Sequence, residues 1–290
     1  HPSEQQMIQV DIDGHILGAN KPAALAVLAD AKLFLAALAG RLAPLTGRMN
    51  LESRRRKVAK YRDKAREERA KLDEKLTDMA VPMNPAHVAH VCEQVFPAES
   101  VLVADGGNAA VWAMMFTQSR VPNTILSTFK MGMLGAGVAQ ATGAAVARPE
   151  HPVCCIIGDG AMGFHPQEVE TAVRNGLRVV YVVLCDKQWG MVKMNQQFML
   201  KPIKTLIKKS LGPDETIKAD LGEIRFDDLA RSMGAHGERV ADPRELKGAL
   251  ERAIASGSAA VVHVDVDPVK HMWAPGLMHF KDMHLEPKGK

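Results

Sequence analysis

In Gly158-Asp159-Gly160 an acid sits between two glycines, directly after the apolar run Val153–Ile157. A second acid, Asp186, follows the next apolar run, Val179–Leu184, and lies 27 positions further on. That distance fits one crossover helix between two neighbouring parallel strands, which would bring both acids to the same sheet edge. Two carboxylates that converge with a backbone carbonyl make a hard oxygen site of the kind Mg²⁺ takes. Gly158 and Gly160 would let the backbone bend tightly, so that its N–H groups face a ligand. Cation and N–H groups together describe a diphosphate site, and a helix starting near Pro166 would favour anions further.

The surrounding pattern supplies the elements that must position these residues. Apolar runs alternate with helical stretches: Ser100–Gly107, "NTILST", "VCCII", "VVYVVL" and "AAVVHVDV" read as strands. Between them "GAGVAQATGAA", Pro166–Asn175 and "DPRELKGALERAIAS" read as helices, the last with Asp242 as N-cap. The fold class is therefore α/β, a doubly wound parallel sheet. Residues 82–290 form this domain. Met7–Asp13 alternates like a strand, and the stretch 18–45 has helical spacing, which reads as the closing β-α piece of a Rossmann-like domain over 1–46. The charged segment 47–81 reads as a solvated helical linker, closed by "VPMNP". Lys201–Asp220 has no clear period and reads as an active-site flap.

These motifs resemble those of thiamine-diphosphate-dependent enzymes, and specifically the C-terminal, diphosphate-binding part of the acetolactate synthase and 2-oxo acid decarboxylase family. "GDG" followed by the turn after the next strand, "ADGGNAA" and "KMGMLGAG" carry the resemblance over most of 82–268. The resemblance implies that thiamine diphosphate and Mg²⁺ are the cofactors. It implies that Asp159, Asp186 and the Gln188 carbonyl hold the metal. Gly160 and Ala161 would give N–H groups to the diphosphate, with Gly158 before them and Gly107 and Asn108 on its other side. Gly132 and Met133 would lie along the aminopyrimidine, accepting from its amine through the Gly132 carbonyl, and Leu134 would be the apolar wedge that bends the cofactor. Cys185-Asp186 stands where the family has Asn-Asn, and Ala161 replaces a common Ser. The activating glutamate belongs to a pyrimidine-binding domain, expected from another chain or from a segment outside these residues, so an oligomer is implied. The function implied is decarboxylation of a 2-oxo acid and transfer of the acyl carbanion, acetolactate synthase-like. A 2-oxo acid decarboxylase or 2-hydroxyacyl-CoA lyase is the alternative, and a non-catalytic cofactor-binding subunit the alternative of another class.

Three residues beside the motifs, His165, Trp189 and Met191, are candidates for a substrate pocket, and Lys193 for an anion contact. The tail from Lys270 holds His271, His279 and His284 at a spacing that matches no metal pattern; it reads as a lid. The chain has 290 residues, 47% apolar and 24% charged, with a formal net charge of +4. Aromatics at 4% argue against stacking platforms for single-stranded nucleic acid. Four cysteines without a C-x-x-C pair suit a reducing compartment. No apolar run is long enough for a membrane helix, and no signal peptide is visible, so the cytoplasm is the expected location.

Overall fold

The computed structural model describes residues 6–129 and 131–276. Its contacts divide the chain between Glu68 and Arg69, a point inside one long helix. In the first unit, β1 (Ile8–Asp11) and β2 (Leu25–Leu28) pair in parallel, with Ile8 opposite Leu25. The helix α1 (Ala31–Leu42) follows, started by the Asp30 side chain, which accepts from Leu33 N at 2.9 Å. The strand at Leu25–Leu28 corrects the reading of 18–45 as helical. "LAVL" suits either element by composition, and its pairing with β1 decides for a strand. α2 (Leu51–Asp73) has no buried residue. Its charges pair along the helix, as Lys64 with Glu68 at 3.7 Å and Arg66 with Asp63 at 3.8 Å, which suits a solvated surface.

The second unit is built on six parallel strands. β3 (Leu102–Asp105), β4 (Ile125–Ser127), β5 (Val153–Gly158), β6 (Val179–Cys185), β7 (His236–Val240) and β8 (Ala260–Asp265) lie in the order β4-β3-β5-β6-β8-β7. The helices α3 (Pro85–Val95), α4 (Asn108–Phe116) and α11 (Pro243–Ala255) cover one face with Ile156, Val182 and Val262. The opposite face packs Cys155, Ile157 and Tyr181 against α5 (Ala136–Ala147), α6 (Asp159–Met162), α7 (Glu168–Arg174) and α10 (Phe226–Ser232). Both faces being covered, β5 and β6 are buried at every residue, which is why they read as continuous apolar runs. All four cysteines are buried and free. Among the described residues no helix is long and apolar enough to cross a membrane.

Strand order reverses beside β3, and again where β8 enters between β6 and β7. The chain leaves β3 for β4 on one side and returns to β5 on the other, so a crevice opens beyond the carboxyl ends of β3 and β5. Lys201–Asp220, without a clear period in the sequence, carries helix. α8 (Gly190–Leu200) is followed at once by α9 (Pro202–Lys208) and a 3-10 turn, Pro213–Glu215. Pro202 looks like a breaker in sequence, but at the first position of a helix its missing N–H costs nothing. From the tail, only Pro268–Met272 forms a helix among the described residues, capped by the Asp267 side chain. His279 and His284 lie outside the described residues.

Asp105, fully buried at the end of β3, ties the crevice together. It accepts from Gly106 N at 2.6 Å, Gly137 N at 2.8 Å and Thr128 Oγ1 at 3.1 Å. Asp105→Ala strands three donors and is expected to destabilise by about 3 kcal/mol or more. Thermal unfolding should then show a fall in Tm on the order of 10 °C; an unchanged Tm would refute the clamp.

Candidate active site

Asp159 directly follows β5 and opens a single helical turn, Asp159–Met162. This turn, and not the helix after Pro166, is the one that begins at the strand end. Gly158 is extended (φ −76°, ψ 154°), so neither tight bending nor a left-handed backbone explains the glycines there. Space does. A β-carbon on Gly160 would sit 2.7 Å from Trp189 Cζ3, because the indole lies against the loop. The left-handed residue is Gly106 (φ +102°), and a β-carbon there would meet Gly158 N at 3.2 Å. The ends of β3 and β5 thus approach backbone to backbone.

Both acids are buried at the cleft. Asp159 Oδ1 accepts from Gly160 N and Oδ2 from Lys187 N, each at 2.7 Å. Lys187 holds φ +58°, a left-handed conformation in the turn that carries this N–H. Asp186 Oδ1 accepts from Gln188 N at 3.3 Å, and Oδ2 from Gln188 Nε2 at 3.0 Å. Burial first, and the neighbouring Asp186 carboxylate second, push the Asp159 carboxyl up to about 7, against the two N–H groups that favour its anion. A divalent cation would relieve both causes. The Gln188 carbonyl is left out of the local ladder, whose bonds run from Trp189 N to Ala219 O and from Leu221 N to Lys187 O. Among the described residues no three His, Cys, Asp or Glu side chains form a metal cluster. A cation here would therefore need carbonyl and ligand oxygens beside the two carboxylates, which suits Mg²⁺.

The cleft has a volume of about 520 Å³, within the usual range for a small-molecule site. Gly158, Asp159, Gly160 and Ala161 line it from β5, and Asp186, Gln188, Trp189 and Met191 from the turn after β6. Gly107 and Asn108 line it from β3, Gly132 and Leu134 from the loop before α5. Asn108 is buried, and both its amide atoms lack a hydrogen-bond partner. An orphaned buried amide at a cleft wall fits a ligand rich in acceptor oxygens. Met133 and His165 are not brought in: both are exposed, and neither lines the cleft. Met133 points away because its neighbours Gly132 and Leu134 take the cleft side, and His165 packs near Gly135 instead. Lys193 is also committed elsewhere, buried in an ion pair with Asp220 at 2.5 Å. Sequence reasoning missed the clamp residue Asp105, whose acid at a strand end was a legible signal. It placed His271 in a tail read as a lid but gave it no part in the site, whereas the structure lines the cleft with it.

A family model described as thiamine pyrophosphate enzyme, C-terminal TPP binding domain, matches residues 105–264. The chain belongs to this family. An acetolactate synthase large subunit of Mycobacterium tuberculosis is 35% identical over 194 residues, covering 67% of this chain and 33% of that protein. A 2-hydroxyacyl-CoA lyase of Caenorhabditis elegans is 31% identical over 170 residues, 59% of this chain and 24% of that protein. The crystal structure of benzoylformate decarboxylase from Polynucleobacter necessarius superposes with a TM-score of 0.57 at 24% identity, over 65% of this chain and 34% of that one. That last likeness is one of fold. The chain spans about a third of the length of the acetolactate synthase it matches. In this thiamine pyrophosphate-binding domain the match begins at the clamp residue Asp105 and ends before His271.

Two variants probe the cradle. Asn108→Ala removes two unpaired buried polar atoms, so the unliganded chain should keep or raise its Tm while losing affinity for thiamine diphosphate. A lowered Tm together with full affinity would show that the amide is structural. Gly160→Ala drives a methyl into the Trp189 ring at a cost of about 1–3 kcal/mol. Thermal unfolding should read this as a fall in Tm of about 2–10 °C, and an unchanged Tm would show that the indole moves aside freely.

Proposed function

We propose that this chain is the diphosphate-binding part of a thiamine-diphosphate- and Mg²⁺-dependent carboligase or lyase acting on a 2-oxo acid, with acetolactate synthase-like transfer as the first reading. The observation that carries it is the meeting of two buried carboxylates with the unpaired Asn108 amide at the crevice beside β3 and β5. Asp159, Asp186 and the Gln188 carbonyl would hold the cation. The N–H groups of Gly160 and Ala161 and the amide of Asn108 would hold the diphosphate. The Gly132 carbonyl and the Leu134 side chain would orient the aminopyrimidine and thiazolium rings, and Trp189 and Met191 would keep water from the reacting carbon. When bound, the cofactor supplies the electron sink that decarboxylation needs.

The activating carboxylate would come from a pyrimidine-binding domain, in another chain or in a segment outside these 290 residues. The working enzyme would then be an oligomer, with the first unit as the end of a Rossmann-like central domain. A second reading, a 2-hydroxyacyl-CoA lyase or simple decarboxylase, is supported by the 31% identity to the Caenorhabditis elegans lyase. The three reactions differ in whether the carbanion adds to a second carbonyl compound, takes up a proton, or arises by cleavage of a 2-hydroxyacyl-CoA.

Calorimetric titration with thiamine diphosphate, in Mg²⁺ and again in EDTA, tests the assignment. Binding should require the metal and should vanish in Asp159→Ala, which keeps its fold by circular dichroism. Binding that ignores EDTA, or that survives Asp159→Ala, would refute the cation role. A product screen with paired 2-oxo acids, run with the pyrimidine-binding domain present, separates carboligase from lyase and from a non-catalytic subunit.

A further inference from the structure

Three polar contacts fasten the helix α12 (Pro268–Met272) to the turn that carries Asp186 and to α4. The Gln188 amide that donates to Asp186 Oδ2 also donates to the Pro268 carbonyl at 2.7 Å. The Trp112 indole N–H donates to the His271 carbonyl at 2.9 Å. His271 Nδ1 itself lies 3.0 Å from Asp186 Oδ2, with the two side chains only 4% and 2% exposed. Among the described residues this is the one basic side chain paired with Asp186. The apolar hold on the helix is modest: Met272 shares a small cluster with Met194.

The two oxygens of Asp186 are therefore unequal. Oδ2 is engaged by the Gln188 amide and faces His271 Nδ1, whereas Oδ1 has only the long contact to Gln188 N. Oδ1 is the oxygen with lone pairs to spare for a cation. A side chain held against one oxygen of a ligating carboxylate, here His271 Nδ1 at ion-pair distance but outside hydrogen-bond geometry, fixes which oxygen turns outward, and such outer partners set metal affinity.

We propose that His271 is a positioning residue for Asp186, and that through it the seating of α12 and the binding of the divalent cation form one coupled equilibrium. This rests on the cation role proposed above. The cation favours the Asp186 orientation that His271 completes, so an occupied site holds α12 down. By the same linkage a seated α12 raises affinity for the cation. The C-terminal end of the described chain thus senses whether the cleft is loaded.

The test uses the full chain, with Mn²⁺ as the probe in the presence of thiamine diphosphate. Mn²⁺ affinity is read by electron paramagnetic resonance, and amide hydrogen exchange is followed over Pro268–Met272. His271→Ala should weaken Mn²⁺ binding by about ten- to a hundredfold. His271→Gln keeps an N–H donor and should recover most of that loss. In an Asp186→Asn background the His271→Ala change should cost far less, because the interaction it removes is already altered. Mn²⁺ with thiamine diphosphate should protect the α12 amides in the wild type and leave them unprotected in His271→Ala. An equal cost of His271→Ala in both backgrounds would mean a merely structural histidine and would overturn the proposal. So would wild-type Mn²⁺ affinity in His271→Ala, or α12 protection that persists there. Melting curves in EDTA, with His271→Gln as the second variant, separate misfolding from lost coupling. If the wild type binds no Mn²⁺ with thiamine diphosphate, the cation role fails before any variant is made, and this proposal falls with it.

Discussion

A buried carboxylate must find donors, and Asp105 finds three on three separate pieces of chain. Gly106 N belongs to its own turn, Thr128 Oγ1 to the end of β4 and Gly137 N to the first turn of α5. These are the elements on which strand order reverses. Gly137 has no side chain because the Asp105 side chain fills that space. With β3, β4 and α5 pinned at one point, the loop carrying Gly132 and Leu134 starts and ends at fixed positions. Gly107 and Asn108 then face the turn after β5 across a gap set by the contact of Gly106 with Gly158. The walls of the cleft built from β3, β4 and the loop before α5 inherit their place from this one anchor.

The cleft itself balances repulsion against preorganisation. Two acids are held close at low exposure, and the protein spends backbone N–H groups, not lysines or arginines, on them. Short backbone donors fix where the oxygens point without neutralising them. With Asp159 pushed up by burial and by the neighbouring carboxylate, a cation at the cleft would favour both anions together. The Asn108 amide, unpaired and buried, is the neutral counterpart of the same arrangement: it carries a solvation cost in the empty state that a ligand would remove.

Much of this was legible in the sequence because parallel sheets buried on both faces leave long apolar runs, and their ends mark the ligand edge. Asp159 and Asp186 could be placed by that rule alone, and the Gln188 carbonyl by the resemblance. What was not legible depended on three-dimensional competition. The strand Leu25–Leu28 needed its partner β1 to be told from helix. The role of Gly160 was read as flexibility, whereas the indole of Trp189 decides it. Met133 and His165 lie within a residue or two of cleft residues and still face elsewhere, since sequence adjacency does not fix direction in a loop. His271 arrives at Asp186 from the far end of the chain, and no local pattern announces a contact of that range.

The packing of Trp189 on Gly160 also constrains how this sequence can drift. Position 160 cannot acquire any side chain while an indole fills the space beside it. Shortening residue 189 first opens room, and a side chain at 160 can follow; the reverse order passes through a clash. Descendants of this sequence should therefore reach a substituted loop by only one route, with the change at 189 always the older of the two.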